Sequence, residues 1–166
     1  MVERPGIVYL RTTRAATPAL YGPEESFEIG GSRAVRCTDN DEITLVAAGI
    51  TLHEALAAAD ELRRDGIAAR VIDLYSVKPI DEQTLIEAAL QTGAIVTVED
   101  HYPEGGIGDA VLEVFADDAS RPRIVKLAVR EMPTSGTPAE LLEQAGIDRE
   151  HIVRAARALM GVRSTA

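Results

Sequence analysis

Tryptophan is absent from this chain, and aromatic residues of every kind make up only 4% of it. The core must therefore be built from aliphatic side chains. Cysteine occurs once, at Cys37, so no intramolecular disulfide can form, in keeping with a reducing compartment. Its position beside a short apolar run reads as that of a small buried apolar residue. No stretch reaches the roughly 20 apolar residues that a membrane span requires. The opening MVERPGIVYLRTTR also lacks an apolar segment with a small-residue cleavage site, so a secretory signal is not expected. These absences read as a cytoplasmic protein with no membrane partner. Positive charge is scarce too. Lys and Arg number 17 against 27 Asp and Glu, a net charge of −10, and no dense basic cluster offers a footing for nucleic acid. What remains is 166 residues that are 46% hydrophobic, enough for one ordinary domain with a sizeable core and too few for two.

The clearest positive signal runs from Glu42 to Asp81. Ile43 to Ala48 is a short β-branched run ended by Gly49. Thr51 stands three residues before Glu54, the spacing of a capping box. Leu52, Ala55, Leu56, Ala59 and Leu62 then share one helical face. Gly66 supplies a left-handed stop, and Arg70 to Leu74 is a second strand. Two strands joined by a helix of this length imply a parallel pair with a right-handed crossover.

The same alternation continues. Asp81 reads as an N-cap, with Ile80 and Leu85 placed as a hydrophobic staple. Leu85, Ile86, Ala89 and Leu90 form the expected buried stripe, and Gly93 the stop. Ala94 to Val98 is a third strand, and Ile124 to Ala128 a fourth. Between them lies a helix carrying Ala110, Val111, Val114 and Phe115. Thr137-Pro138-Ala139-Glu140 is a capping box with Pro at the first helical position. Asp148 caps a last helix, with Ile152, Val153, Ala156, Leu159 and Met160 on one face. Upstream, Arg33 to Cys37 reads as a short strand, joined through the polar turn Thr38 to Asp41 to Ile43 to Ala48 as a hairpin. The expected class is α/β: three layers around a mostly parallel five-stranded sheet, four strands parallel and one an antiparallel edge strand. Gly6 to Arg11 has strand character with nothing obvious to pair with, and Ala15 to Gly31 is a linker by its Pro and Gly content.

The place to look for chemistry is His101-Tyr102-Pro103-Glu104-Gly105-Gly106-Ile107-Gly108. It follows a strand and opens a helix, where open α/β sheets bind ligands and free N–H groups can hold an anion. The glycines lack the third member of the dinucleotide fingerprint, and Glu104 and Asp109 put negative charge where a pyrophosphate would sit. Tight turning and close packing are the better reading of these glycines. Glu99, Asp100 and His101 could form a relay, yet no Ser or Cys nucleophile has a signature nearby. A solvated or interface-facing edge suits them better, so no catalytic residue is assigned. With His53 and His151 lacking ligand companions at i+4, no metal site is assigned either.

The runs AAGITLHEALAAADEL, VIDLYSVKPID and VEDHYPEGGIGDAV, flanked by YLRTTR, FEIGGSRAV and SGTPAELLEQAGID, resemble the C-terminal domain of transketolase. The resemblance covers about Gly6 to about Gly161. It implies that residues 1–31 are the end of a preceding pyrimidine-binding domain plus a linker, and that 32–166 are the C-terminal domain. It further implies ketol transfer between sugar phosphates in the pentose phosphate pathway, by a homodimer using thiamine diphosphate and Mg²⁺ or Ca²⁺. In the family the cofactor is held by a G-D-G motif and an activating Glu in the N-terminal and middle domains. This chain has no G-D-G, so no cofactor is expected in it, and the missing domains become its expected partners. Arg14 matches a family arginine that grips the substrate phosphate, a task suited to a guanidinium fork. The loop His101, Tyr102, Gly105, Gly106, Ile107 and Gly108 is expected at a subunit interface. Two other readings stay open: the equivalent domain of a 2-oxo acid dehydrogenase beta subunit, and a free-standing regulatory module that binds a ligand at that loop.

Overall fold

In the computed structural model, residues 5–7, 9, 16–117 and 121–161 are described. Five strands alternate with helices: β1 (Arg33–Arg36), β2 (Ile43–Ala47), α1 (Ile50–Arg64), β3 (Ala69–Asp73), α2 (Glu82–Thr92), β4 (Ala94–Val98), α3 (Ile107–Val114), β5 (Arg123–Leu127), α4 (Pro138–Ala145) and α5 (Arg149–Met160). The sheet order is β1-β3-β2-β4-β5. β3, β2, β4 and β5 are parallel, and β1 runs antiparallel along the edge. The expected class is therefore the observed one.

The period of two along β2 divides its side chains between two cores. Ile43, Leu45 and Ala47 face α1 and α5, joining Val71, Val96 and Ile152. Val46 faces α2 and α3 with Ile72, Ile95, Leu85 and Val111. Every residue of β2 and β4 is buried, as strands covered on both faces should be.

The N-cap at Asp81, the capping box at Thr137 and Glu140, and the N-cap at Asp148 all form as expected. Ile80 and Leu85 meet in one core, and Gly93 ends α2 in the left-handed conformation.

Four expectations are corrected. β1 does not form a hairpin with β2; it pairs with β3, Arg33 opposite Asp73. β2 already has both edges occupied by parallel partners. Asp41 folds the turn back by accepting from Thr38 and then pairs with Arg70 of β3, which carries the chain across β2. Thr51 and Glu54 form no capping box. The Thr51 hydroxyl donates instead toward the carbonyls of Ala48 and Val98, stapling the ends of β2 and β4, while Glu54 accepts from the Arg149 backbone. On α2 the buried face is Leu85 and Ala88, with Ile86 outside and Leu90 83% exposed. The apolar arc of this helix is wider than the sheet can cover, so its spacing could not tell which half turns inward. Cys37 is exposed, because β1 is an edge strand that ends one residue earlier.

Candidate functional site

The carboxyl ends of the parallel strands converge on the loop between β4 and α3. Glu99, the residue after β4, is 2% exposed. One carboxylate oxygen accepts the Ile107 N–H at 2.7 Å and the other the Gly108 N–H at 3.0 Å. These are the unsatisfied donors at the start of α3, the place where a helix attracts an anion. The chain's own carboxylate thus sits where a phosphate would. Burial raises the Glu99 pKa above its usual value, with the two N–H bonds and the nearby His101 and Lys126 working against that rise.

The two glycines around Ile107 are explained by sterics. A Cβ on Gly106 would fall inside the Glu99 carboxylate, and one on Gly108 would lie 2.7 Å from the Lys126 stem. Lys126, on β5, donates to the Pro103 carbonyl at 2.7 Å and pairs with Asp109. Asp109 also accepts the Gly105 N–H at 2.7 Å. The Lys126 bond first, then that of Gly105, holds the Asp109 carboxyl below its usual range. Gly105 needs its positive φ of 72° to make the turn. Further along the loop, the His101 carbonyl accepts from Val129, and the His101 ring lies 2.8 Å from the Tyr102 carbonyl. The His101 and Tyr102 side chains remain exposed.

Of the candidate residues, Gly105, Gly106, Ile107 and Gly108 thus form one locked turn, with His101 and Tyr102 on its outer surface. Arg14 lies outside the described residues. Sequence reasoning weighed Glu99 only as part of an edge and passed over Lys126. Their signal was the pairing of a carboxylate after a strand with glycines seven and nine residues on, which leaves room for that side chain.

Beside this loop the same edge carries a cavity of about 720 Å³, its walls including Ile50, Val129, Met132, Leu141, Leu142 and Ile147, with Asp100 at its rim. At the opposite side, Tyr21 to Gly31 packs across the end of β3. The Tyr21 hydroxyl donates to Asp73 at 2.7 Å, and Phe27 stands edge-on between Tyr21 and Tyr75, 5.0 Å from each. Arg33 lies over both Tyr21 and Phe27. Burial first, and then Asp73, raises the Tyr21 pKa.

Among the described residues, no group of three or more His, Cys, Asp and Glu stands close enough to hold a metal. No helix there is long and apolar enough to cross a membrane.

Residues 32–152 match the family model described as "Transketolase, C-terminal domain". The chain is 52% identical over 158 residues to transketolase-like protein 1 of Bos taurus, covering 93% of this chain and 26% of that protein. It is 43% identical over 156 residues to transketolase of Mus musculus, covering 93% of this chain and 25% of that one. It therefore spans about a quarter of the length of these relatives. Among solved structures, a split gene transketolase described as an inactive beta4 tetramer superposes with a TM-score of 0.83 at 38% identity. That match covers 90% of this chain and 48% of the other. Family model, relatives and fold agree: the chain belongs to the transketolase C-terminal domain family.

Proposed function

We propose that this chain serves as the C-terminal domain of a transketolase, within a longer polypeptide or as one piece of a split enzyme, and is inactive alone. The complete enzyme moves a two-carbon ketol unit between sugar phosphates in the pentose phosphate pathway. It works as a cytoplasmic homodimer, with thiamine diphosphate and Mg²⁺ or Ca²⁺ held by the N-terminal and middle domains. In it residues 1–31 form the end of the pyrimidine-binding domain and a linker, residues 32–166 form the C-terminal domain, and Arg14 grips the substrate phosphate. The domain contributes dimer packing and stability, with the His101–Gly108 loop at or near the two-fold interface.

The observation that carries this reading is the Glu99 carboxylate at the start of α3. This turn, where an anion could sit at the start of α3, is filled from within. The described residues do not fit the cofactor, since the family's G-D-G motif is missing from the sequence and no metal-holding cluster lies among them. On this reading the chain's part in the reaction is supporting rather than chemical.

Calorimetric titration of the chain with thiamine diphosphate and Mg²⁺ tests this, and no saturable heat is expected. Micromolar binding would refute it. In the complete enzyme, Arg14→Ala should raise KM for phosphorylated sugars at unchanged cofactor affinity, a loss of about 1.5–3 kcal/mol for one charge-assisted contact.

A further inference from the structure

The stretch from Tyr21 to Ser32 has the composition of a linker, yet it is fixed to the body of the domain at successive points. Tyr21 donates its hydroxyl to Asp73, the last residue of β3, at 2.7 Å. Asp73 is 5% exposed, so the bond is made to a buried carboxylate. Phe27 stands edge-on between Tyr21 and Tyr75, with the Arg33 guanidinium over its ring and paired with Glu25. The Gly30 N–H donates to the Ser76 hydroxyl at 2.8 Å. Ser32 then donates both its N–H and its hydroxyl to Asp81, the N-cap of α2.

The four body residues engaged, Asp73, Tyr75, Ser76 and Asp81, all lie on the single connection from β3 to α2. The fit is close at Gly31, where a Cβ would strike the Tyr75 hydroxyl. Ordering such a stretch costs conformational entropy that a free linker keeps. A bond to a buried carboxylate and two edge-on ring contacts are what offset it here.

We propose that Tyr21–Ser32 is a strap, latched by the Tyr21–Asp73 bond, that shortens the tether between this domain and the one before it. The consequence for activity rests on the reading of Arg14 as the grip on the substrate phosphate. Arg14 is seven residues from Tyr21 and eighteen from Ser32. Latching therefore cuts the greatest reach of that tether from about 60 Å to about 25 Å. Effective concentration varies roughly as the −3/2 power of tether length, so it rises about 4-fold. Tyr21 and Asp73 are then positioning residues for the phosphate grip. Every hold of the strap is made within the chain, so it stays latched when the missing domains are absent.

The test has two arms. In the first, amide exchange is followed on the whole chain and on Tyr21→Phe, which keeps the ring and loses the donor. Gly30 and Ser32 should be protected in the unmodified chain. Tyr21→Phe should speed exchange at Gly30, nine residues away, about 10-fold and leave the amides of β4 unchanged. Fast exchange at Gly30 in the unmodified chain, or a Gly30 rate indifferent to Tyr21→Phe, overturns the latch. In the second arm, the complete enzyme carries Tyr21→Phe, Phe27→Ala and Ser76→Ala together, which removes the holds before Ser32. KM for phosphorylated sugars should rise about 4-fold at unchanged kcat and thiamine diphosphate affinity, and KM for unphosphorylated sugars should not move. If Arg14→Ala raises KM and the strap variant does not, the positioning role is wrong. If Arg14→Ala leaves KM unchanged, the reading of Arg14 fails and takes the positioning role with it, while the exchange result still decides the latch.

Discussion

Two loops leave the carboxyl edge side by side and are built in opposite ways. The loop from Asp100 to Gly106 is tied at both ends, by Glu99 to the start of α3 and by Lys126 and Asp109 across its middle. The loop from Arg130 to Gly136 is exposed at every residue. Met132 is 81% exposed, and among the described residues Thr134 bonds Gln144 alone. Chain length does not separate them. What does is a buried carboxylate and a lysine stem passing under the first and not under the second. A braced loop presents a fixed shape, and a loop without braces adapts to one.

Glycine substitution should break this contrast most sharply. Gly106→Ala places a Cβ inside the Glu99 carboxylate, so the change must displace that group and orphan buried N–H donors. It should cost about 3 kcal/mol. Gly136→Ala meets the Glu140 carboxylate at 3.3 Å and the Glu140 Cβ and Leu141 side chain at 3.5 Å, contacts that a small shift relieves, and should cost less than about 1 kcal/mol. Urea unfolding of both variants measures the difference.

Next in size is the carboxylate itself. Glu99→Ala leaves the Ile107 and Gly108 N–H groups without their acceptor and should cost about 2 kcal/mol. Glu99→Gln keeps one acceptor and should cost less, while Glu131→Ala on the exposed loop should be close to neutral.

Acid stability separates the same groups by sign. Burial raises the Glu99 pKa above its ordinary 4.5. Its contribution is therefore complete below 4.5 and is lost as pH rises through the raised value. Asp81 and Asp148 behave oppositely. Burial opposes the shift, yet hydrogen bonds from Thr84 and Ser32, and from His151, hold these carboxyls below 3.8. Their contribution is present above 3.8 and is lost as pH falls through the lowered values. Denaturation midpoints against pH should show Glu99→Gln flattening the slope above 4.5 and Asp81→Asn flattening it below 3.8.

The smallest expected effect is at Leu90→Lys, on the open face of α2, which should shift the folding free energy by less than about 0.5 kcal/mol.

The sequence was most legible where one local rule decides the outcome. Asp81, Thr137 and Asp148 read as caps because a side chain three residues from its acceptor or donor needs nothing distant. It was least legible where local and distant partners compete. Thr51 has the spacing of a capping box, and the Val98 carbonyl on another strand takes its hydroxyl instead. The Thr38–Asp41 turn looks like a hairpin until Arg70 draws Asp41 toward β3. At the candidate site the glycines signalled close approach but not what approaches. Glu99 and Lys126 fill the gaps from β4 and β5, and only the sheet order brings those residues together.

Amide exchange at Ile107 and Gly108 reports directly on whether the anion seat is filled from within. Both amides should be strongly protected in the unmodified chain and exposed in Glu99→Ala. Thiamine diphosphate, a sugar phosphate or a nucleotide added to the unmodified chain should change neither rate. Fast exchange in the unmodified chain, or protection that rises when one of these anions is added, would mean that the turn is a ligand site and that Glu99 does not own it.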